Sequence, residues 1–268
     1  MAIVDALIPI ARKAGHAILP FFQQSHLQNI SIKADNSPVT AADNASHEVI
    51  HSQLKQQFPD IPQLSEEGNH LNYDGRQHWT RYFLIDPLDG TKEFIKGNPE
   101  YTVNIAYLEH NSLIASVVYA PSTNELYFAS KGEGAYKQLP DGTNKALQCK
   151  EITEPNSITV VTSKSHFSDE TQQHLSKLEQ HLTVQYKRYG SSLKMCKIAE
   201  GEADYYPRLG PTMEWDTAAA QLIVQEAGAE LVKAENYLSL TYNKKQLINP
   251  HFFCASKTLL HTIKALSI

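Results

Sequence analysis

The spacing of apolar residues changes near the middle of the chain, and this change limits the folds that the sequence can adopt. The first part contains strand-like runs joined by short connections such as His110-Asn111, a pattern typical of an antiparallel meander. After residue 156, strand-like and helix-like segments alternate, as they do in α/β folds. The sequence therefore predicts an α/β protein with an α+β N-terminal half, residues 1–150, and an α/β C-terminal half, residues 151–268, with a boundary near 140–156.

The same spacing predicts the individual elements. Helices are predicted where apolar residues recur every three to four positions, and strands where β-branched or alternating residues form short runs. Thr40 suits the N-cap of the second helix, and Gly228 closes the helix that ends at residue 227. The predicted helices are 3–22, 41–58, 168–180, 191–200 and 216–227. The predicted strands are 29–33, 82–85, 101–108, 112–120, 125–130, 158–161, 184–186, 205–206 and 230–232, with a turn at 35–38.

The composition excludes several functional classes. Lys and Arg number 24 against 29 Asp and Glu, a net charge of −5, which argues against a nucleic-acid polymer as partner. The three cysteines, Cys149, Cys196 and Cys254, form no CxxC pair, so neither a disulfide framework nor a cysteine-ligated zinc is predicted. The N-terminus lacks a signal-peptide pattern, and no uncharged apolar run approaches the roughly 18 residues of a membrane-spanning helix. We expect a cytoplasmic protein with no transmembrane segment.

Acidic residues recur where predicted elements begin or end. They are Glu66 and Glu67, Asp86 and Asp89, and Glu214 and Asp216. Each pair alone has a structural explanation as a solvated loop, a turn or a helix N-terminus, and Asp43 alone suits a capping acid three residues after Thr40. Carboxylates that meet in one place repel one another unless divalent cations neutralise them. Taken together, the clusters favour a metal site.

The type of ligand indicates the type of metal. Carboxylates without an adjacent cysteine or HExxH motif favour Mg²⁺ or Mn²⁺ over zinc or copper. A tight turn at Asp86-Pro-Leu-Asp89 can direct both carboxylates and the Leu88 carbonyl to one side. His47 and His51 stand four residues apart and could also hold a metal, but we favour a solvated helix face for them.

Other catalytic motifs are missing from the sequence. It contains no GxxxxGK[ST] phosphate loop and no GxSxG nucleophile elbow. Gly132-Glu-Gly134 has Lys137 where a dinucleotide fingerprint requires a third glycine. Kinase, nicotinamide-dependent and serine-hydrolase functions are therefore disfavoured.

Four segments together resemble the signature blocks of the inositol monophosphatase superfamily, in the family's order and across most of the chain. They are Asp35-Asn-Ser-Pro-Val-Thr-Ala-Ala-Asp43, Leu64-Ser-Glu-Glu-Gly68, Asp86-Pro-Leu-Asp-Gly-Thr-Lys-Glu-Phe94 and Trp215-Asp-Thr-Ala-Ala219. Four further segments resemble the bacterial 3′(2′),5′-bisphosphate nucleotidases within that superfamily: Lys92–Ile95, Tyr101–Ile105, Gly190–Lys194 and Tyr206-Pro-Arg208. The resemblance implies a layered α/β/α/β/α sandwich with the site between the two halves.

The resemblance also implies the metal ligands. Glu66, Asp86 and the Leu88 carbonyl would bind a first Mg²⁺, and Asp86, Asp89 and Asp216 a second, with Asp86 bridging. Metals roughly 3.5–4 Å apart hold phosphoryl oxygens, activate a water and stabilise the leaving oxygen. A third, weaker Mg²⁺ near Glu66 is a further family expectation.

The catalytic and substrate-binding residues are likewise implied by the family. Thr91 would pass a proton from the attacking water to Asp43, and the backbone N–H groups of Gly90 and Thr91 would hold the scissile phosphate. A second phosphate requires cationic partners. The implied substrate-binding residues are Glu66, Leu88, Asp89, Gly90, Thr91, His166, Ser191, Lys194, Arg208 and Asp216. Without the resemblance, exposed surface positions would be the favoured explanation for Lys194 and Arg208.

These implications define one expected function and two alternatives. The expected function is a Mg²⁺-dependent, lithium-sensitive phosphatase that removes the 3′-phosphate of adenosine 3′,5′-bisphosphate and also accepts its sulfated form. The alternatives are an inositol-monophosphate or sugar-bisphosphate phosphatase with the same metal site, and a non-catalytic module that binds phosphonucleotides. The expected partner is a small-molecule phosphonucleotide, the expected assembly is a monomer or a homodimer, and peripheral contact with the inner membrane is left open.

Overall fold

Two sheets, with helices between them and on their outer faces, make up the fold. The computed structural model describes residues 3–22, 31–32, 38–69, 71–153, 155–163 and 168–266. Within these ranges the helices are α1 (Ile3–Phe22), α2 (Ala41–Gln57), α3 (Tyr73–Arg76), α4 (Thr91–Ile95), α5 (Asp169–Leu178), α6 (Leu193–Ala199), α7 (Glu214–Glu226) and α8 (Lys257–Ala265). The strands are β1 (Ser31–Ile32), β2 (Pro38–Val39), β3 (Gln63–Ser65), β4 (Arg81–Asp89), β5 (Thr102–Glu109), β6 (Ser112–Ala120), β7 (Glu125–Ser130), β8 (Gly134–Gln138), β9 (Asn144–Ala146), β10 (Ser157–Ser163), β11 (Thr183–Tyr189), β12 (Tyr205–Arg208), β13 (Ala229–Lys233) and β14 (Phe252–Ser256).

The larger sheet has seven strands in sequence order, from β3 to β9. From β4 onward every neighbouring pair is antiparallel, which confirms the predicted meander, and β3 lies parallel to β4. The smaller sheet has the order β11-β10-β12-β14-β13, with parallel pairs on both sides of β10 and antiparallel pairs on both sides of β14. Short β1 and β2 form a separate antiparallel pair.

Helices cover both faces of the larger sheet. Helices α1 and α2 pack on one face, and α7 packs on the other, where it also contacts β13 of the smaller sheet. Helix α6 contacts α7 and four strands of the smaller sheet, and α5 and α8 share a core with the outer face of that sheet. The layers are therefore helix, sheet, helix, sheet and helix, as in the expected α/β/α/β/α sandwich.

Burial of both faces of the larger sheet explains its sequence. Side chains alternate between faces along a strand, so Phe83 and Ile85 face α1 and α2, whereas Leu84 faces α7. The side chains on both faces of β4 are almost fully buried, and β4 therefore has a continuous apolar run before Asp86. The close approach of α1 depends on Gly15, where a Cβ would lie only 2.5 Å from Tyr119 Cε1.

Most predicted elements agree with the structure, and the main correction concerns β4. Helices at 3–22 and 41–58 are observed as α1 and α2, and Thr40 is the observed N-cap. Strand β4 continues through the expected turn to Asp89, with irregular pairing between Asp86 and Asp89. Pro87 explains this irregularity, because it has no N–H to donate to the neighbouring strand while its backbone stays extended.

Other differences are local. The helix expected from residue 216 begins at Glu214 instead, and α3, α4, α8, β2, β8, β9 and β14 were not predicted from the sequence. The predicted strand 29–33 contains β1, but residues 29, 30 and 33, and residues 35–37 of the predicted turn, lie outside the described residues. The predicted boundary region, 140–156, includes β9 and ends just before β10, and the division into 1–150 and 151–268 stays a prediction. None of the helices in the described part is both long and apolar enough to cross a bilayer.

Below pH 6.5 we expect His174 to make the protein less stable. Its ring is buried on α5, 2.8 Å from the Tyr205 hydroxyl and stacked on Phe253, and burial, with a smaller contribution from Lys177, lowers its pKa to about 4. Between pH 6.5 and 4 the unfolded chain therefore binds a proton that the folded chain does not, and stability falls as the pH is lowered. The loss reaches at most about 3 kcal/mol at pH 4.

Urea unfolding between pH 7 and 4 checks this expectation. The His174→Gln variant should show a shallower loss of unfolding free energy across that range than the wild type. His181→Gln, at an exposed histidine just beyond the same helix, is the matched control and should keep the wild-type slope. An unchanged slope in His174→Gln would refute the role of this ring.

Candidate active site

Three of the predicted acidic residues meet at one edge of the larger sheet. Glu66 follows β3, Asp86 lies near the end of β4, and Asp216 lies in the first turn of α7. The Glu66 N–H donates to the Ile85 carbonyl at 3.0 Å, which holds Glu66 beside Asp86 on the adjacent parallel strand. Carboxylate oxygens of Glu66, Asp86 and Asp216 all lie within 4.8 Å of one another.

The carboxylates of this group are buried close together and repel one another. Burial raises the pKa of Asp86 well above its usual range, and the nearby Glu66, Asp89, Asp216 and Asp43 add to the effect. Burial also raises the pKa of Asp216 well above its usual range, and the nearby Asp89 and Glu66 raise it further. These buried carboxylates can all be ionised only if positive charge lies close to them. Their oxygen atoms are hard donors, so the cluster fits a divalent cation such as Mg²⁺ or Mn²⁺.

Asp89 connects the two halves of the chain. Its Oδ2 accepts hydrogen bonds from Ser191 Oγ at 2.6 Å, the Ser192 N–H at 2.7 Å and Ser192 Oγ at 2.9 Å. Ser192 Oγ also lies 2.9 Å from the carbonyl oxygen of Asp216 and accepts from Asn104 Nδ2 at 3.0 Å. Ser192 and Asn104 thus order the acidic site; both lie in segments that carry the family resemblance, Gly190–Lys194 and Tyr101–Ile105, but neither had been assigned a role.

Asp43 and Thr91 form the pair that the resemblance implied. Thr91 Oγ1 donates to Asp43 Oδ1 at 3.1 Å and lies 3.3 Å from the Leu88 carbonyl oxygen. The other carboxylate oxygen of Asp43 accepts from the Thr40 N–H at 2.8 Å and from Thr40 Oγ1 at 2.6 Å. Asp43 is thus both a helix-capping acid and a partner of Thr91. The Leu88 N–H donates to Asp86 Oδ1 at 3.0 Å, so one turn connects the acid cluster with this pair.

Gly90 permits the turn between the acids and Thr91. Its φ of +93° lies in the left-handed region, where a side chain would be strained. A Cβ at this position would also lie 3.4 Å from the Glu100 carbonyl oxygen and from Ser191 Cβ. The geometry of the predicted site therefore depends on a glycine here.

A cavity of about 240 Å³ opens beside the acidic cluster. It brings together nearly all of the predicted site residues: Glu66, Asp86, Leu88, Asp89, Gly90, Thr91, Ser191, Lys194, Arg208 and Asp216. Tyr206, Lys92 and Glu93 also line it, and the sequence analysis had given them no role in the site. Asp43 reaches the cavity through Thr91, and His166 lies outside the described residues.

Lys194 on α6 and Arg208 on β12 are two of the three basic residues that line this cavity in the described structure. Lys194 Nζ donates to the Ser191 carbonyl at 2.6 Å and lies 5.5 Å from the centre of the Tyr206 ring. Burial lowers the pKa of Lys194 to about 8, although Asp89 opposes the shift and Arg208 adds to it. Arg208 Nη2 donates to the Pro211 carbonyl at 2.9 Å, while its buried Nε has no hydrogen-bond partner within the described structure. The cavity therefore contains the carboxylate cluster, which we call the acidic end, together with Lys194 and Arg208, which we call the basic end.

The histidine pair on α2 lies beside β3. The rings of His47 and His51 stack with centroids 5.7 Å apart, and their Nδ1 atoms lie near Ser65 Oγ and Gln63 Oε1. Within the described ranges, no cluster of three or more metal-binding side chains includes either histidine. His51 is exposed, as expected for a solvated helix face, whereas His47 is half-buried beside Ser65.

Fold and site together define a member of the inositol monophosphatase family, and a profile of that family matches residues 2–266. The chain belongs to this family. Among its relatives, the 3′(2′),5′-bisphosphate nucleotidase CysQ of Shigella flexneri is 47% identical over 228 residues, which cover 85% of this chain and 89% of the relative. The protein with the same name from Salmonella typhimurium is 43% identical over 250 residues, covering 93% of this chain and 98% of the relative.

Solved structures agree with this assignment. The crystal structure of CysQ from Bacteroides thetaiotaomicron, a bacterial member of the inositol monophosphatase family, superposes with a TM-score of 0.81 at 39% identity, over 95% of this chain and 97% of that one. The extragenic suppressor protein suhB from Bartonella henselae superposes with a TM-score of 0.83 at 22% identity, over 98% of this chain and 97% of that one. The suhB match supports the fold alone.

Proposed function

We propose that this chain is a Mg²⁺-dependent 3′(2′),5′-bisphosphate nucleotidase. It removes the 3′-phosphate from adenosine 3′,5′-bisphosphate to give AMP and phosphate, and it also accepts the 5′-sulfated form. The main support is that one cavity contains both a carboxylate cluster and the basic pair Lys194 and Arg208. A monophosphate ester requires only the acidic end, whereas a bisphosphorylated nucleotide uses both. The names of its CysQ relatives support the same substrate class.

The acidic end would hold two or three Mg²⁺ ions. Glu66, Asp86 and the Leu88 carbonyl would hold one, and Asp86, Asp89 and Asp216 a second. When bound, the ions lower the pKa of a coordinated water and neutralise charge on the phosphoryl group. Asp89 would bind the metal through its other carboxylate oxygen, because its Oδ2 already accepts three hydrogen bonds from Ser191 and Ser192.

Thr91 and Asp43 would remove the proton from the attacking water. When the Thr91 hydroxyl donates to Asp43 Oδ1, 3.1 Å away, a lone pair of Oγ1 remains to accept a proton from the water. Thr40 fixes the other oxygen of Asp43, which holds the carboxylate in place for this transfer. General-base assistance of this kind contributes about 10²–10⁴-fold to rate.

The basic end would bind the 5′-phosphate and sugar through Ser191, Lys194 and Arg208. Arg208 Nε is buried and has no hydrogen-bond partner among the described residues, so an anion in the cavity would satisfy it. His166 stays a prediction for this end of the site. A cytoplasmic location, peripheral contact with a membrane, and the choice between monomer and homodimer also stay predictions.

Phosphate release tests the proposal directly. The purified protein is given adenosine 3′,5′-bisphosphate or inositol 1-phosphate with Mg²⁺, and then with added Li⁺. We expect a strong preference for the nucleotide, and inhibition by lithium. Preference for the inositol ester would support the alternative phosphatase, and nucleotide binding without phosphate release under saturating Mg²⁺ would support the non-catalytic alternative.

The Arg208→Ala variant should show whether Arg208 binds the second phosphate of the substrate. A charged hydrogen bond contributes about 1.5–3 kcal/mol, so kcat/KM for adenosine 3′,5′-bisphosphate should fall by about 10–100-fold. Hydrolysis of inositol 1-phosphate, which has no second phosphate, should change little. Arg188→Ala, at an exposed arginine on β11, is the matched control. Equal losses on both substrates would mean that Arg208 does not bind the second phosphate.

A further inference from the structure

A buried ionic cluster lies at the start of α7, and the proposed mechanism uses none of its side chains. Glu214, at the start of α7, is fully buried, and Arg76, at the end of α3, is 2% exposed. The segment 243–249, between β13 and β14, lies between them. We call these three parts the clamp.

Glu214 binds this segment with both carboxylate oxygens. Oε2 accepts from the Asn243 N–H at 2.7 Å, and Oε1 accepts from the Lys244 N–H at 2.9 Å and from Lys244 Nζ at 2.6 Å. Glu214 is therefore directed away from the acidic cluster despite lying two residues from Asp216. Its carboxylate is committed to holding segment 243–249.

Arg76 binds the same segment from the N-terminal half. Its guanidinium donates to Asn243 Oδ1 at 2.6 Å and to the carbonyls of Lys244 at 2.7 Å and Lys245 at 3.2 Å. Asn243 Nδ2 donates back to the Arg76 carbonyl at 2.9 Å. Asn243 has a φ of +61°, a left-handed conformation that is maintained by the bonds to Arg76 and Glu214.

The rest of the segment fixes the backbone on both sides of Asp216. The Leu247 carbonyl accepts from the Glu214 N–H at 2.9 Å. Asn249 Nδ2 donates to the Met213 carbonyl at 2.7 Å and to Thr217 Oγ1 at 3.0 Å. The Met213 N–H in turn donates to Asp216 Oδ2 at 2.8 Å, so the clamp reaches the Asp216 carboxylate through one residue.

The clamp also connects the segments that carry the acids. Arg76 lies in the connection from β3 to β4, between Glu66 and Asp86 in the chain, and Glu214 lies beside Asp216. We infer that Glu214 and Arg76 are positioning residues that set Asp216 in register with Glu66 and Asp86 for divalent-cation binding. This inference rests on the metal site of the proposed function. Replacing residues that hold metal ligands in place from outside the coordination sphere typically changes metal affinity or activity by about 10–100-fold.

Direct Mn²⁺ binding, measured by electron paramagnetic resonance or calorimetry without substrate, tests the clamp. Glu214→Gln keeps the shape of the side chain but places an amide against N–H donors, so we expect the Mn²⁺ dissociation constant to rise by about 10–100-fold. Asn243→Gly keeps the left-handed backbone and removes only the side-chain bonds to Arg76, so we expect a smaller rise. This second variant also serves if Glu214→Gln does not fold.

Two controls separate positioning from general loss of stability. Glu235→Gln removes an exposed carboxylate from the same β13–β14 connection, and Leu260→Ala weakens the core shared by α5 and α8. We expect both to bind Mn²⁺ within about 3-fold of the wild type, although Leu260→Ala will melt at a lower temperature.

The outcomes for the clamp and for the proposed function are distinct. Clamp variants that bind Mn²⁺ as tightly as Leu260→Ala does would overturn the inference, whatever their activity. Wild-type protein that binds Mn²⁺ but releases no phosphate from any ester would refute the proposed function and leave the clamp intact. Wild-type protein that binds no Mn²⁺ would overturn both.

Discussion

Asp86→Asn should abolish both phosphate release and stabilisation by Mg²⁺. Asparagine keeps the acceptor for the Leu88 N–H, so the turn at the end of β4 should persist. It removes the charge at the centre of the acidic cluster, where the nearby Glu66, Asp89 and Asp216 raise the pKa of Asp86 by electrostatic repulsion. A cation that binds only the folded state stabilises it by about 2.7 kcal/mol at 100 times its dissociation constant. We expect that stabilisation in the wild type and not in the variant.

Melting curves with and without 10 mM Mg²⁺, a concentration chosen for excess, measure this loss beside a phosphate-release assay. In the absence of Mg²⁺ the variant should melt at or above the wild-type temperature, because one of several repelling buried carboxylates is gone. Asp141→Asn, at an exposed acid in the β8–β9 turn, is the control and should retain both activity and the Mg²⁺ effect. Near-normal turnover in Asp86→Asn would refute the assignment of the metal site.

The acidic cluster could be predicted from the sequence because each acid marks the end of an element. Glu66 directly follows β3, Asp86 lies near the end of β4, and the parallel pairing of these strands brings the two acids to the same edge of the sheet. Asp216 marks a helix start, where a carboxylate is stabilised. The resemblance then supplied Asp43 and Thr91, which are 48 residues apart and which no local pattern pairs.

The remaining features depend on contacts between distant segments. Arg76 and Asn243 are 167 residues apart, and nothing in either neighbourhood predicts that they meet. The continuation of β4 through Pro87 was missed because Pro-x-Asp-Gly also suits a turn, and pairing with β5 keeps it extended. Strand β14 is short and wholly buried, so its sequence has no alternation to distinguish it from a helix.

Thr91→Ala should slow turnover strongly while leaving Mg²⁺ binding intact. The variant loses the hydroxyl that donates to Asp43 Oδ1, so the proton acceptor for the attacking water is lost. We expect kcat to fall by about 10²–10⁴-fold, with little change in KM. The carboxylates of Glu66, Asp86 and Asp216 are unchanged, so the Mg²⁺-dependent rise in melting temperature should match that of the wild type.

Two further variants show whether Thr91 and Asp43 act as one unit. Thr91→Ser retains a hydroxyl and should recover most of the lost rate. Asp43→Asn should lower kcat by itself, and adding it to Thr91→Ala should cost little more, because residues that act as a unit are strongly non-additive. Losses that multiply in the double variant would mean that the two side chains act independently. A Thr91→Ala protein that no longer responds to Mg²⁺ would instead place Thr91 among the groups that hold the cation.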